Sequence, residues 1–211
     1  MKLSALLGAV AFLLGSLALD HGKPKRPAVF LNHFFIVIDS ATYNDIEQSA
    51  FMRREFAVTE RRTTVRNDTT YTALYFYGVN TYFEFFDASA QGRFTGSGLA
   101  LGPDQAGALQ VIGKELAPEI SVAREPVTRE YDGKQVPWFY AAGPQDSPLD
   151  AGFTLWLMEY HPRFLSEWHP RREGLNGGVS RKQILQRYTA VLKDIPARPL
   201  FEDVSDRTPG M

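Results

Sequence analysis

The order in which extended and helical patterns follow one another is the feature that most constrains this chain. Residues 29–39 (VFLNHFFIVID) are aromatic and β-branched almost throughout, which suits a central strand apolar on both faces. Ser40 then offers an N-cap for a helix over residues 41–51. Residues 55–66 alternate loosely and read as a partly exposed strand, and Asn67-Asp68 makes a turn. Residues 71–77 and 81–87 are two further strands, joined by a hairpin connection at Gly78-Val79-Asn80. A Gly-, Ser- and Ala-rich linker over 88–98 follows, and the order begins again. A short strand at 97–102 leads to a helix opened by Pro103-Asp104 and running to about residue 116, with Ala108, Leu109, Ile112 and Leu116 on one side. Strands at 123–131, 136–142 and 152–160 complete the second half. The halves share a pattern rather than letters. The expected fold is α+β: two tandem βαβββ modules forming a curved, mostly antiparallel sheet cup, with a C-terminal helix.

The ends of the chain read differently. Lys2 precedes an uncharged run over 3–19, and Ser16-Leu17-Ala18 presents small residues where a signal peptidase cuts. Residues 1–20 therefore read as a secretory signal, with an uncleaved anchor as the competing reading, and 21–28 as a spacer. Either reading puts the folded part outside the cytoplasm, secreted or periplasmic. Residues 29–165 form the paired-module domain, and 166–211 a C-terminal loop, helix and tail packed on it. Within that tail, residues 161–178 look irregular. Residues 180–195 are an amphipathic helix with a Ser180/Gln183 capping box. Its stripe of Ile184, Tyr188, Val191 and Leu192 is expected on the outside of the sheet. Residues 199–204 read as the start of another strand.

With 44% hydrophobic and 13% aromatic residues, the 211-residue chain can build a real core. Lys and Arg total 23 against 24 Asp and Glu, so no basic footprint for nucleic acid exists. The absence of cysteine excludes disulfides, thiolate nucleophiles, Cys-ligated metals and a lipid-anchored lipoprotein. No membrane partner is expected after signal removal. There is no G-x-S-x-G, H-E-x-x-H or P-loop motif.

Alternation groups the chemistry-bearing residues by face. His33, Phe35 and Val37 share one face of the first strand, and Asn32, Phe34, Ile36 and Ile38 the other. On the fourth strand Tyr82, Glu84 and Phe86 share a face. A carboxylate in such a run needs a metal, a cation or a proton, since burying it unpaired costs several kcal/mol. Glu159 and His161, two apart, project from one face. Blander readings stand beside these. His33 bonds a backbone carbonyl, Glu84 pairs with Arg62 or Arg66, Glu159 and His161 end a strand in solvent, and Arg61-Arg62 is a solvated strand edge. Tyr71, Tyr75, Tyr77, Tyr82, Trp138 and Trp156 serve as core and rim packing, or as a cage for a planar or apolar ligand. As a substrate pocket the set is Phe35, Tyr75, Tyr82, Trp138 and Trp156.

The module order, together with Leu31-Asn32-His33-Phe34-Phe35-Ile36-Val37-Ile38-Asp39, Tyr82-Phe83-Glu84-Phe85-Phe86 and Leu157-Met158-Glu159-Tyr160, resembles the vicinal oxygen chelate superfamily over residues 29–165. That superfamily includes glyoxalase I and extradiol dioxygenases. The resemblance implies that His33, Glu84 and Glu159 are metal ligands, with His161 a possible fourth, and that a divalent Fe, Mn, Ni, Co or Zn ion is the cofactor. Glu84 and Glu159 are the catalytic candidates, since a ligand carboxylate can double as general base. The second-module position matching His33 falls near Gly96 or Ser97, neither of which is a ligand. The expected function is an exported metal-dependent lyase, isomerase or dioxygenase acting on a small oxygenated molecule. The alternatives are a metal-free small-molecule-binding (sequestration) protein using the same cup, and a structural envelope protein binding a partner through a sheet edge or the C-terminal helix. The resemblance also implies a possible homodimer.

Overall fold

One nine-stranded open sheet carries the whole fold, in the order β2-β3-β4-β1-β5-β9-β8-β6 with β7 also on β8. The computed structural model describes residues 26–90, 96–144, 152–168, 179–192 and 199–201. The signal and most of the spacer lie outside the described residues, as does the end of the expected C-terminal helix. In the first module, β1 (Phe30–Ile38) leads through α1 (Ser40–Gln48) to β2 (Val58–Val65), β3 (Thr70–Tyr77) and β4 (Tyr82–Asp87). β1 pairs parallel with β4, and β4, β3 and β2 run antiparallel in turn. The second module repeats this with β5 (Ser97–Gly102), α2 (Ala108–Glu115), β6 (Ile120–Val122), β7 (Val127–Tyr131), β8 (Lys134–Pro144) and β9 (Phe153–Tyr160). β5 pairs parallel with β9, β9 antiparallel with β8, and β8 antiparallel with both β6 and β7. Of the strand expected over 123–131 only Val127–Tyr131 is extended, as β7; β6 is a separate strand before it, and the segment between contains Pro126, whose nitrogen cannot donate to a ladder. The modules join through antiparallel β1–β5 pairing at the centre of the sheet. At one end the two outer strands touch, through an Arg66–Arg129 bridge and a 3.3 Å bond from Asn67 N to Thr128 O.

Local caps shift several expected boundaries. Asp39, not Ser40, caps α1, accepting from the Thr42 nitrogen at 3.0 Å and the Thr42 hydroxyl at 2.7 Å. Ser40 instead donates to Asp87 at 2.7 Å. α1 stops at Gln48, and Met52–Phe56 forms one wide helical turn, so β2 begins at Val58. α2 begins at Ala108 rather than near Pro103, after Gly107 at φ 80°, and Leu116 lies exposed beyond its end. A short helix, α3 (Phe164–Glu167), occupies the stretch expected to be irregular. α4 (Arg181–Thr189) carries the expected Ser180 cap, and Leu200 and Phe201 are helical rather than extended.

Three apolar clusters layer the molecule. α1 and the wide turn cover Leu74, Phe76, Phe83 and Phe85 on the outer face of the first module. α2 covers Ala142 and Leu157 on that of the second. The largest cluster lies on the inner, concave face. There Tyr75, Tyr77, Tyr82, Trp138, Met158 and Tyr160 meet Phe164, Trp168, Ile184, Leu185 and Tyr188. The stripe of α4 therefore packs inside the cup, not outside it as expected. The outer face already holds two helices, and the uncovered aromatic wall is the larger apolar surface left to bury. The Trp138 indole N–H donates to the Tyr188 hydroxyl at 3.0 Å. Arg181 ties the start of α4 to Asp104 and to the Leu31 carbonyl.

Candidate functional site

β1 and β4 run parallel with His33 opposite Tyr82 and Phe35 opposite Glu84, so the imidazole and the carboxyl rise from neighbouring strands on one face. His33 Nε2 stands 3.8 Å from Glu84 Oε2, and the two residues are 5% and 6% exposed. The His33 ring stacks on Tyr82 with centroids 4.5 Å apart and meets the edge of Trp156 at 5.6 Å. A bulge between Leu31 and His33 breaks the alternation, and Asn32 joins His33 instead of the opposite face predicted for it. Asn32 Oδ1 lies 2.9 Å from His33 Nδ1 and accepts from the Tyr160 hydroxyl at 3.4 Å. An amide oxygen only accepts, so Nδ1 carries the proton and the Nε2 lone pair faces Glu84.

Burial sets the charges. It pushes the His33 imidazole down to about 3, so the ring is neutral. Burial also lifts Glu84 to about 7, against the opposing pull of the Tyr75 hydroxyl, Arg62 and Arg66. Both arginines are committed elsewhere. Arg62 donates to Glu60 at 3.0 Å and to the Tyr77 hydroxyl at 3.1 Å, while Arg66 grips Asp68. Arg62 is thus part-buried on the inner face, while Arg61 lies in solvent and pairs with Glu47. The Tyr75 hydroxyl is near enough to Glu84 to favour its ionised form, yet neither it nor Glu84 Oε1 completes a hydrogen bond of sound geometry among the described residues. Burial raises the Tyr75, Tyr77, Tyr82 and Tyr160 hydroxyls well above the ordinary tyrosine range, so all four are protonated.

The other expected ligands lie elsewhere. His33 pairs with Ala100, which pairs with Trp156, so Trp156 shares the face of His33. Glu159, three residues further along, takes the opposite face. Its two oxygens accept from the backbone nitrogens of Gly107 and Leu109, each at 2.7 Å, and cap the start of α2. His161 shares that outer side, with its ring 5.3 Å from Tyr140 and Nδ1 accepting from the Arg163 nitrogen. Partial burial, then Arg163, lowers its pKa. Glu159 and His161 do share a side as alternation required, but it is not the side of His33 and Glu84. Ser97 sits opposite Ile36 and Ala100 opposite His33, so the second module adds no ligand there. Among the described residues no three His, Asp or Glu side chains could hold one ion. His33 and Glu84 supply two donors where catalytic sites commonly use three, so the described residues do not fit the implied metal. Of the expected pocket residues, Tyr82 and Trp156 contact His33, Tyr75 borders Glu84, and Phe35 packs on Phe86. Trp138 lies further along the wall, against Phe139, Phe164 and Tyr188. Asn32 and Tyr160, which orient the imidazole, carried no signal in the alternation because the bulge is not a feature of the residue pattern.

Fold and site together define the class: a paired-module α+β cup whose concave face holds a buried imidazole–carboxyl pair beneath C-terminal helices. The chain belongs to the DUF5829 family, a family of unknown function, whose pattern matches residues 31–206. No curated protein matches it. It is similar to a hypothetical protein from Staphylococcus aureus of known crystal structure, at 12% identity and a TM-score of 0.38. The match covers 64% of this chain, and the chain spans 59% of the length of that protein.

Proposed function

We propose that this chain is an exported small-molecule-binding protein whose ligand seats on the His33–Glu84 pair and works without a metal. The observation that supports it is the unfinished polar chemistry in an aromatic wall. Among the described residues a buried carboxyl oxygen and a buried phenol lie close together without completing a well-formed hydrogen bond, beside a neutral imidazole presenting a lone pair. Buried polar groups are nearly always paired, and ligand sites place a few such groups among apolar ones. The ligand this suits is planar and carries a donor next to an acceptor. Near neutrality Glu84 exists in both protonation states, so it donates to a ligand oxygen or accepts from a ligand hydroxyl. His33 accepts at Nε2, and Tyr75 donates. The same pair could move a proton on a bound molecule, with Glu84 as the acid–base group.

A screen of neutral phenols and hydroxy-ketones by thermal shift tests the reading. Binding is expected in wild type, weakened at least tenfold in Glu84→Gln, and indifferent to chelator. No ligand-dependent shift in wild type, or equal shifts in Glu84→Gln, would overturn it. The metal-dependent, glyoxalase- or dioxygenase-like enzyme remains the second reading, because His33 and Glu84, two of its ligands, do meet. Its signature is a stoichiometric divalent ion in purified protein that His33→Ala loses.

A further inference from the structure

Arg129 is 5% exposed, on β7 at the inner face of the second module. Its guanidinium lies between two indoles, 4.9 Å from the Trp138 ring centroid and 5.1 Å from that of Trp168. The rings favour the charge but leave the in-plane N–H groups unanswered. Nε and Nη1 of Arg129 are buried without a hydrogen-bond partner among the described residues. Among the described residues no carboxylate forms an ion pair with Arg129; Glu60 is committed to Arg62, Asp68 to Arg66, Asp104 to Arg181, Glu167 to Arg163 and Glu159 to α2. A buried, unpaired guanidinium is among the costliest groups a fold retains, so a missing anion is the economical explanation.

We propose that Arg129 is the anchor for an oxyanion, a carboxylate or phosphate carried by the small molecule that occupies the concave face. The inference rests on the proposed function above and names the charge class of its ligand. An uninterrupted series of ring contacts links the two polar centres. Trp138 meets Phe139 at 4.9 Å, Phe139 meets Trp156 at 5.5 Å, and Trp156 meets His33 at 5.6 Å. The ligand of this proposal is an anion held by Arg129, and an aromatic ring on it would suit this wall.

The test uses the full chain and three probes: benzoate, inorganic phosphate and neutral benzyl alcohol, at constant ionic strength. Binding is read by calorimetry and thermal shift in wild type, Arg129→Gln, Arg129→Lys and Glu84→Gln. Benzoate, phosphate or both are expected to bind wild type, at least tenfold more weakly in Arg129→Gln, with an intermediate loss in Arg129→Lys. The more strongly affected anion identifies the carboxylate or the phosphate source. Phosphate's general salting effect is common to all four proteins and cancels in the comparison. Should Arg129→Gln unfold, Arg129→Lys decides the matter, and wild-type affinity in that variant would overturn the proposal. Failure of both anions to bind wild type would also overturn it. Benzyl alcohol separates this from the broader reading. If it binds wild type and not Glu84→Gln while the anions fail, the cup binds ligands but Arg129 is no anion site. If the anions bind through Arg129 and benzyl alcohol binds wild type and Glu84→Gln equally or binds neither, the anion site stands and the Glu84 reading falls.

Discussion

Glu159 offers the sharpest test of the structure, because two roles predict opposite outcomes for one substitution. As a metal ligand, its loss empties a site and leaves the fold almost intact. As placed here, it satisfies the Gly107 and Leu109 N–H groups at the start of α2 from 50 residues away, with both bonds at 2.7 Å and the side chain 3% exposed. α2 has no cap of its own, since Gly107 has no side chain. Hydrogen bonds to a charged group contribute about 1.5–3 kcal/mol each, and loss of an N-cap costs about 0.5–2 kcal/mol. The two bonds share one carboxylate and the helix start also interacts favourably with its charge, so the terms overlap. Glu159→Ala should cost about 3 kcal/mol. Glu159→Gln, which keeps one acceptor but turns an NH2 group toward the other N–H, should lose at least about half of that. In a protein of this size about 2–4 °C accompanies each kcal/mol, so the melting temperature of Glu159→Ala should drop by about 6–12 °C. Urea unfolding gives the free energy, and amide exchange should show Gly107 and Leu109 deprotected first. A Glu159→Ala protein within about 1 kcal/mol of wild type that has lost a bound divalent ion would refute the capping role.

Other consequences follow from the buried pair and the central strands. Glu84 has a folded pKa near 7, above its ordinary 4.5, so its contribution is full below pH 4.5 and declines until pH 7 by about 3 kcal/mol. His33 has a folded pKa near 3, below its ordinary 6.5, so its contribution is full above pH 6.5 and declines as pH falls toward 3. Glu84→Gln removes only the first slope, and its stability relative to wild type should rise by about 3 kcal/mol between about pH 4.5 and 7.5. A pH-independent difference in urea unfolding would count against the buried carboxyl. Tyr75→Phe removes a hydroxyl with no completed hydrogen bond, so the free protein should keep its stability to within about 1 kcal/mol while ligand-induced stabilisation shrinks. Equal loss in both measurements would mean the hydroxyl is structural. Gly102→Ala would set a methyl 2.0 Å from the Met158 carbonyl oxygen, a backbone atom that cannot swing aside, and should cost at least about 1–3 kcal/mol by forcing β5 from β9. A well-folded Gly102→Ala protein of wild-type stability would contradict that close pairing.

Much of this fold was legible in the residues alone, for a physical reason. Alternation and helical periodicity are local, so the repeated strand–helix–strand–strand–strand order and the Ser180 cap were readable without contacts. Alternation placed His33 and Glu84 each on one face of an apolar strand, while their convergence was implied only by the family resemblance. Period-2 geometry says which residues of one strand share a face, but not which face of a distant strand it joins. That match depends on register across the sheet. The His33–Ala100–Trp156 register aligns Trp156 with the imidazole and sends Glu159 to the start of α2. The one-residue bulge that turns Asn32 inward is likewise a property of pairing. The amphipathic stripe of α4 announced that it must be buried, while the choice of the concave face followed from which apolar surface the other helices left uncovered. Local periodicity thus determined the elements and their apolar sides. Only the assembled sheet decided which sides face one another, because that depends on long-range register and competition for buried surface.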